Sequence, residues 1–160
     1  MDLTHTPKSA VEKVEDAIVE LLKPCLHAKY FISIFPDKPE AFDIAKHKRV
    51  ALVQYSGSQY KSSEGVNAGL QMRRSEFHIH LYLSALDLPI MGERTIEHIR
   101  HGLQGARIEG GNLMFMRDRL VEQDQGLWHY VIDVAIDLPA IATPRTPIAP
   151  IINSFEKRDI

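Results

Sequence analysis

The chain has 160 residues, of which 44% are hydrophobic and 25% charged, a composition that suits one soluble-type domain with its own core. A formal net charge of −2 gives no general attraction to nucleic acid or to an anionic membrane, so neither is a predicted partner. Cys25 is the only cysteine, which excludes an intrachain disulfide and a thiolate metal cluster. No basic region followed by an apolar run opens the sequence, so we expect no signal peptide.

The first predicted element is an amphipathic helix. Val14, Ile18 and Leu22 recur at four-residue steps, which places them on one helical face. Ser9 and Glu12 match a capping box at its start. Pro24 is the predicted end, because proline cannot continue the helical hydrogen-bond ladder. A short strand is predicted next, over residues 29–35.

Two further strands follow. Residues 50–55 are mostly apolar, as expected for a strand covered on both faces. Residues 76–83 alternate between apolar and polar side chains, which is typical of a sheet with one buried and one wetter face. The histidines His78 and His80 fall on the wetter face.

The segment Ser56–Ser75 between these strands is predicted to be a long functional loop. It contains three glycines, five serines and four charged residues, and a hairpin needs only about two to five linking residues. Loops that protrude from a rigid sheet tend to carry function. The basic residues Lys61, Arg73 and Arg74 could contact phosphates or an acidic protein surface, and protein contact is preferred because the chain as a whole lacks a basic bias. The alternative is a solvated, charged strand end.

The second half predicts a helix over residues 90–103 and a hairpin of strands 112–121 and 127–138. Prolines recur from Pro139 onward, which predicts an extended arm or tail. The predicted fold class is α+β, with two helices on one side of a mostly antiparallel sheet and the order α-β-β-β-α-β-β. The predicted division is a single domain over 1–138 and a Pro-rich C-terminal arm over 139–160.

Metal binding is the sharpest enzymatic alternative. His78 and His80 share a strand face, and His98 and His101 share a helix face, as metal ligands often do. If the helix covers the apolar side of the sheet, however, the two pairs lie on different sides. Two-residue motifs are also common without function, and no nucleophile motif, phosphate-binding loop or dinucleotide fingerprint occurs. We therefore predict no catalytic residues, no metal site and no cofactor.

The order of the predicted helices and strands, together with their sequence patterns, resembles that of a known family. The features are an opening helix ending at Leu22-Lys23-Pro24, the strand Val50–Tyr55, the connection Ser56–Ser75, the strand Glu76–Leu83, the helix Thr95–Leu103 and the strand Trp128–Leu138, closing with Asp137-Leu138-Pro139. From residue 10 to 138 the chain resembles the tail terminator (tail completion) proteins of bacteriophages and prophages, of the Mu-like and lambdoid kind.

This resemblance implies a non-enzymatic structural protein. Members form hexameric rings on the end of the phage tail tube, stop tube polymerisation and offer a surface for joining the head. The implied partners are further copies of the chain, the tail tube protein and a head–tail connector protein. The resemblance also implies that the loop Ser56–Ser75 reaches toward a neighbouring subunit or the tube, with four candidate contact residues: Lys61, Glu64, Arg73 and Arg74. The implied location is the bacterial host cytoplasm during assembly and then the virion tail. Two alternatives stay open, a metal-binding protein or metal-dependent enzyme using His78 and His80, and a monomeric protein-binding module.

Overall fold

A computed structural model describes residues 3, 5–26, 28–38, 43–62, 70–84, 89–124 and 126–141. The elements in chain order are α1 (Ala10–Cys25), β1 (Phe31–Ile34), a short 3-10 helix (Ile44–Lys46), β2 (Arg49–Tyr60), β3 (Leu70–Ser84), α2 (Pro89–Leu103), β4 (Arg107–Ile108), β5 (Gly111–Asn112), β6 (Met114–Asp124) and β7 (Leu127–Ile141). Within these ranges, no helix combines the length and apolarity that crossing a membrane requires.

The main sheet has five strands in the order β1-β2-β3-β7-β6. Only β1 and β2 run parallel, and the other neighbours are antiparallel. Strands β4 and β5 form a small separate hairpin. The predicted α+β class, with a mostly antiparallel sheet and two helices, is therefore confirmed.

The capping signals of α1 are present in the structure. Ser9 accepts a hydrogen bond from the backbone of Glu12, and the Glu12 carboxylate accepts one from the backbone N–H of Ser9. The helix continues one residue past the predicted end, to Cys25, with Pro24 in its last turn. The N–H of Leu26 still donates a hydrogen bond to the carbonyl of Leu22. Local chemistry thus sets both ends of α1.

Both helices cover the same face of the sheet. The buried cluster joins Val14, Ile18 and Leu22 of α1 to Ile96, Ile99 and Leu103 of α2 and to alternate residues of β2, β3 and β7. On β3 these are Phe77, Ile79 and Leu81, as the alternation predicts. We call the opposite face, which carries His78 and His80, the polar face.

The predicted loop over Ser56–Ser75 is wrong for most of its length. β2 runs on to Tyr60 and β3 begins at Leu70, so the connection is confined to residues 61–69. The polar residues of this segment pair across the strands instead, with Ser58 opposite Ser75. Ser75 is buried and its hydroxyl contacts that of Ser58 at 2.8 Å, whereas the residues farther along the hairpin are largely exposed. Both kinds of position suit polar side chains, and the loss of a hydrophobic pattern concealed the strands.

A β-bulge marks the point where the apolar strand becomes polar. The register shifts between Tyr55 and Gly57, and Gly57 has a φ of 147° that favours glycine. The carboxylate of Glu15 in α1 accepts a hydrogen bond from the Tyr55 N–H beside the bulge. The first turns of α1 are thereby joined to the strand at the place where it bends.

At the other end of the chain, β7 continues through Pro139 to Ile141, opposite Leu70 of β3. The predicted arm from residue 139 therefore begins as strand, and residues 142–160 lie outside the described residues. The predicted division into 1–138 and 139–160 stays a prediction. The hairpin before it is tighter than predicted, since β6 ends at Asp124 and β7 begins at Leu127.

Helix α2 lies against the end of α1 at Gly102, where an added Cβ would overlap the Sγ of Cys25. We expect Gly102→Ala to lower the free energy of unfolding by about 1–3 kcal/mol, because overpacking forces the helices apart. Urea titration measures the effect. Adding Cys25→Ala should restore most of the loss, with Cys25→Ala alone as control. A Gly102→Ala protein more stable than wild type, as helix propensity alone would give, contradicts this packing.

Candidate functional site on the polar face

The hairpin extension predicted as a loop forms a three-stranded projection. We call residues 58–60, 70–74 and 137–141 the distal extension. On one side, β1 pairs with β2 only from Val50 to Val53, and on the other, β6 pairs with β7 only as far as Ala135. In the described part of the chain, no further strand is hydrogen-bonded to the distal extension on either side. Unpaired strand edges are sites where another chain can add.

Asp137 of β7 gathers two of the predicted contact residues. Its carboxylate accepts hydrogen bonds from Arg74 Nε at 3.1 Å and from Lys61 Nζ at 3.3 Å. Arg74 foremost, and then Lys61, hold the pKa of Asp137 below its usual range, against the opposing effect of partial burial. All three side chains remain about a third exposed or more, so this ion cluster contributes little to stability and is open to a partner.

Arg73 lies on the other face of the same strand. Arg74 stands opposite Asp137 on the polar face, and its neighbour Arg73 stands opposite Leu138 on the helical side. The Arg73 guanidinium approaches the Tyr60 hydroxyl at 3.5 Å, a long contact. The two arginines therefore do not form one basic patch. Glu64, the fourth predicted contact residue, lies outside the described residues.

Three histidines from two strands meet on the polar face. His80 Nδ1 lies 3.0 Å from His129 Nε2, and His80 Nε2 lies 3.0 Å from Gln54 Oε1. The His129 ring also stacks on Tyr82, with 4.2 Å between centroids. Because the Gln54 oxygen only accepts, His80 Nε2 carries the proton and its Nδ1 accepts from the N–H of His129.

The surroundings of the two rings favour neutral imidazole. Burial foremost, and then the neighbouring His129 and His78, lower the pKa of His80 to about 4. Burial also lowers the pKa of His129. The ring of Phe35 covers His80 from the segment after β1, with centroids 5.0 Å apart. The pair is therefore part of the packing of the sheet.

The third histidine belongs to an ionic group around Asp133. His78 Nδ1 contacts Asp133 Oδ1 at 2.6 Å, and Arg117 Nε donates to Oδ2 at 2.7 Å, where Arg119 also donates. Burial alone would raise the pKa of Asp133, but the hydrogen bonds from Arg117 and His78 outweigh it and the pKa is lowered. One carboxylate thereby ties β6 and β3 to β7.

The histidine pairs predicted as metal ligands do not converge. His98 and His101 are exposed on the outer side of α2, whereas His78 and His80 lie on the polar face. Both ring nitrogens of His80 are engaged by Gln54 and His129. Across the described ranges, no group of three or more His, Cys, Asp or Glu side chains is placed to hold a metal ion.

Sequence reasoning missed the partners of these residues. His129, Asp133 and Asp137 recur at four-residue steps in β7, a spacing that places them on one face of the strand. Their pairing with His80, His78 and Arg74 follows from the register between β3 and β7, which no local pattern specifies. The arginines of β6 were not singled out at all.

Comparison with known proteins gives a family and a fold. The model of the Gp37 protein family matches residues 18–157, most of the 160 residues, and the chain belongs to this family. A chain in the virion of a native gene transfer agent (GTA) particle has a similar fold, with a TM-score of 0.54 and 12% identity. The alignment covers 84% of this chain and 100% of that chain. No curated protein matches the sequence.

We expect the histidine pair to make stability depend on pH. The pKa of His80 is 6.5 in the unfolded chain and about 4 in the folded protein, so the unfolded state binds more protons between these values. The contribution of this pair to the free energy of unfolding should be fully present above pH 6.5 and should decrease as the pH falls toward 4. Urea titrations across this range measure it.

Two variants test the assignment to this pair. His80→Gln removes the titrating ring and should flatten the profile in the acid range. His98→Gln, on the exposed side of α2, should leave the wild-type profile in place. If the His80→Gln profile keeps the full wild-type slope, the acid sensitivity comes from other groups.

Proposed function

We propose that the protein is a structural component of a phage-like virion, and specifically a tail terminator that closes the end of the tail tube. The observation that carries this is the fold shared with a chain of a gene transfer agent virion, at full coverage of that chain. Membership of the Gp37 family and the resemblance in element order support it independently. On this proposal the protein stops tube polymerisation, offers the head-joining surface and carries out no catalysis.

The proposed assembly is a homohexameric ring. A closed ring uses heterologous contacts, in which one surface of a copy meets a different surface of the next. The distal extension suits one half of such a contact, because no further strand is hydrogen-bonded to its edges among the described residues. The tail tube protein and a head–tail connector protein are the further proposed partners, met in the host cytoplasm before incorporation into the virion tail.

We propose Lys61, Glu64, Arg73 and Arg74 as contact residues of this assembly. Lys61 and Arg74 are held together by Asp137, which fixes their position without covering them. Charges that are exposed but positioned influence the rate and register of association more than its affinity. Arg73 points to the other face and would meet a different partner surface, so the two arginines can be tested separately.

The first test is the mass of the purified protein by light scattering across concentration, with negative-stain images of the same sample. Ring-shaped particles of about six copies are expected, as a closed cyclic assembly requires. The measurement is repeated with the tail tube protein present, since closure on the tube alone is compatible with the proposal. A monomer under both conditions contradicts the ring and favours a monomeric binding module.

The contact residues are tested by charge reversal. Arg74→Glu places a second carboxylate beside Asp137 and should reduce ring formation or tube docking, while the double variant with Asp137→Arg restores the ion pair with opposite polarity. Continued loss of assembly in the folded double variant places Arg74 at a partner surface. Full recovery means that Arg74 acts only through Asp137. Arg94→Glu, on the exposed side of α2, is the matched control.

A further inference from the structure

The distal extension carries an exposed apolar patch on its polar face. Leu70 stands opposite Ile141, and Met72 stands opposite Pro139, so these four side chains share one surface. Their exposed fractions are high for apolar residues in paired strands, 53% for Leu70, 37% for Met72 and 74% for Ile141. The Asp137 ion cluster borders them. A contiguous apolar surface of this kind marks an interaction site.

The sequence continues from this patch. Ile141 is the last residue of β7, and nineteen residues follow it, 142–160. They include a group of apolar side chains: Ile148, Ile151, Ile152 and Phe155. The Gp37 family model extends to residue 157, so most of this segment belongs to the unit that the family shares. An apolar segment and an apolar patch thus occur next to each other in the chain.

We propose that residues 142–157 of one copy bind the apolar patch of a second copy. The reason for a second copy lies in the prolines. Pro144 and Pro147 precede Ile148, and proline favours extended backbone at itself and at the residue before it. This sequence preference disfavours an immediate return of the segment onto the patch of its own chain.

This inference rests on the proposed self-association and names its contact. It also accounts for the unpaired edges of the distal extension, because an arriving segment can lie along one of them as well as on the patch. Contacts between two strand edges alone would require matching of the strand register. Isoleucine and phenylalanine side chains that pack on leucine and methionine are instead stabilised by the apolar surface area removed from water. Residues 142–157 then connect neighbouring copies around the ring.

Cysteine cross-linking in the full-length protein tests the proposal. In a Cys25→Ala background, one chain carries Met72→Cys and another carries Ile152→Cys, and the two are mixed under mild oxidation. A disulfide-linked heterodimer of doubled mass on a non-reducing gel is expected. The matched control replaces Met72→Cys by Met116→Cys, an equally apolar and 50% exposed site on β6, and should give no more heterodimer than random collision. Circular dichroism checks that each variant is folded.

The outcomes separate this inference from the proposed function. A single chain that carries both Met72→Cys and Ile152→Cys and yields only intrachain disulfide shows that the segment covers its own copy, and overturns the proposal. If light scattering shows rings but the Met72→Cys and Ile152→Cys chains cross-link no more than the Met116→Cys control, the inference is overturned. The tail terminator proposal is then unaffected. Specific heterodimers in a protein that forms no rings support the contact and count against ring closure.

Discussion

The register of β3 between β2 and β7 is the constraint on which the other features of the protein depend. β3 is the middle strand of five, and it pairs with β7 over fifteen residues without a register shift. Since successive side chains alternate between faces, this one register places Phe77, Ile79 and Leu81 under the helices and His78 and His80 on the polar face. A slip of one residue would exchange the two sets. The burial of the apolar set therefore also fixes the polar contacts.

The polar face is held by few groups that each serve several strands. Asp133 accepts from His78 on one side and from Arg117 and Arg119 on the other, so three strands share one carboxylate. Burial removes water from the charged carboxylate of Asp133, and hydrogen bonds from the surrounding arginine and histidine side chains replace that solvation. The His80–His129 pair carries no charge, because burial favours the neutral form of both rings. The two arrangements respond to acid through different chemistry, yet both link β3 to β7.

Local patterns predicted most of the fold and little of the polar pairing. The capping box of α1 and the alternation in β3 depend on neighbours in sequence. The ends of α1 and α2 were predicted within one residue, and the alternating part of β3 was recognised as a strand. The polar ends of β2 and β3 were predicted as a loop because exposed strands lose the hydrophobic alternation that marks the others. Contacts such as Arg74–Asp137 join residues 63 positions apart, and only the strand register brings them together. The sequence could identify the charged residues but not the faces on which they lie.

The distal extension shows how the same register leads from stability to assembly. Near the helices, β3 and β7 are flanked by other strands and cover a buried core. Farther out, β1 and β6 have ended, and the same pairing continues with exposed leucine, methionine and isoleucine side chains on one face. Leu138 is buried in the core, but Leu70, Met72 and Ile141 gain little burial within one copy. The ordering of this exposed part therefore depends on the rigid strands behind it. This strand pair is fixed in the sheet at one end, and at the other end it has unpaired strand edges and exposed apolar side chains. Such a strand pair can bind a partner in a defined orientation. Because the strands are fixed at one end, the binding surface is preorganised, and this lowers the entropy cost of association. The exposed face supplies the apolar surface area that a partner can bury.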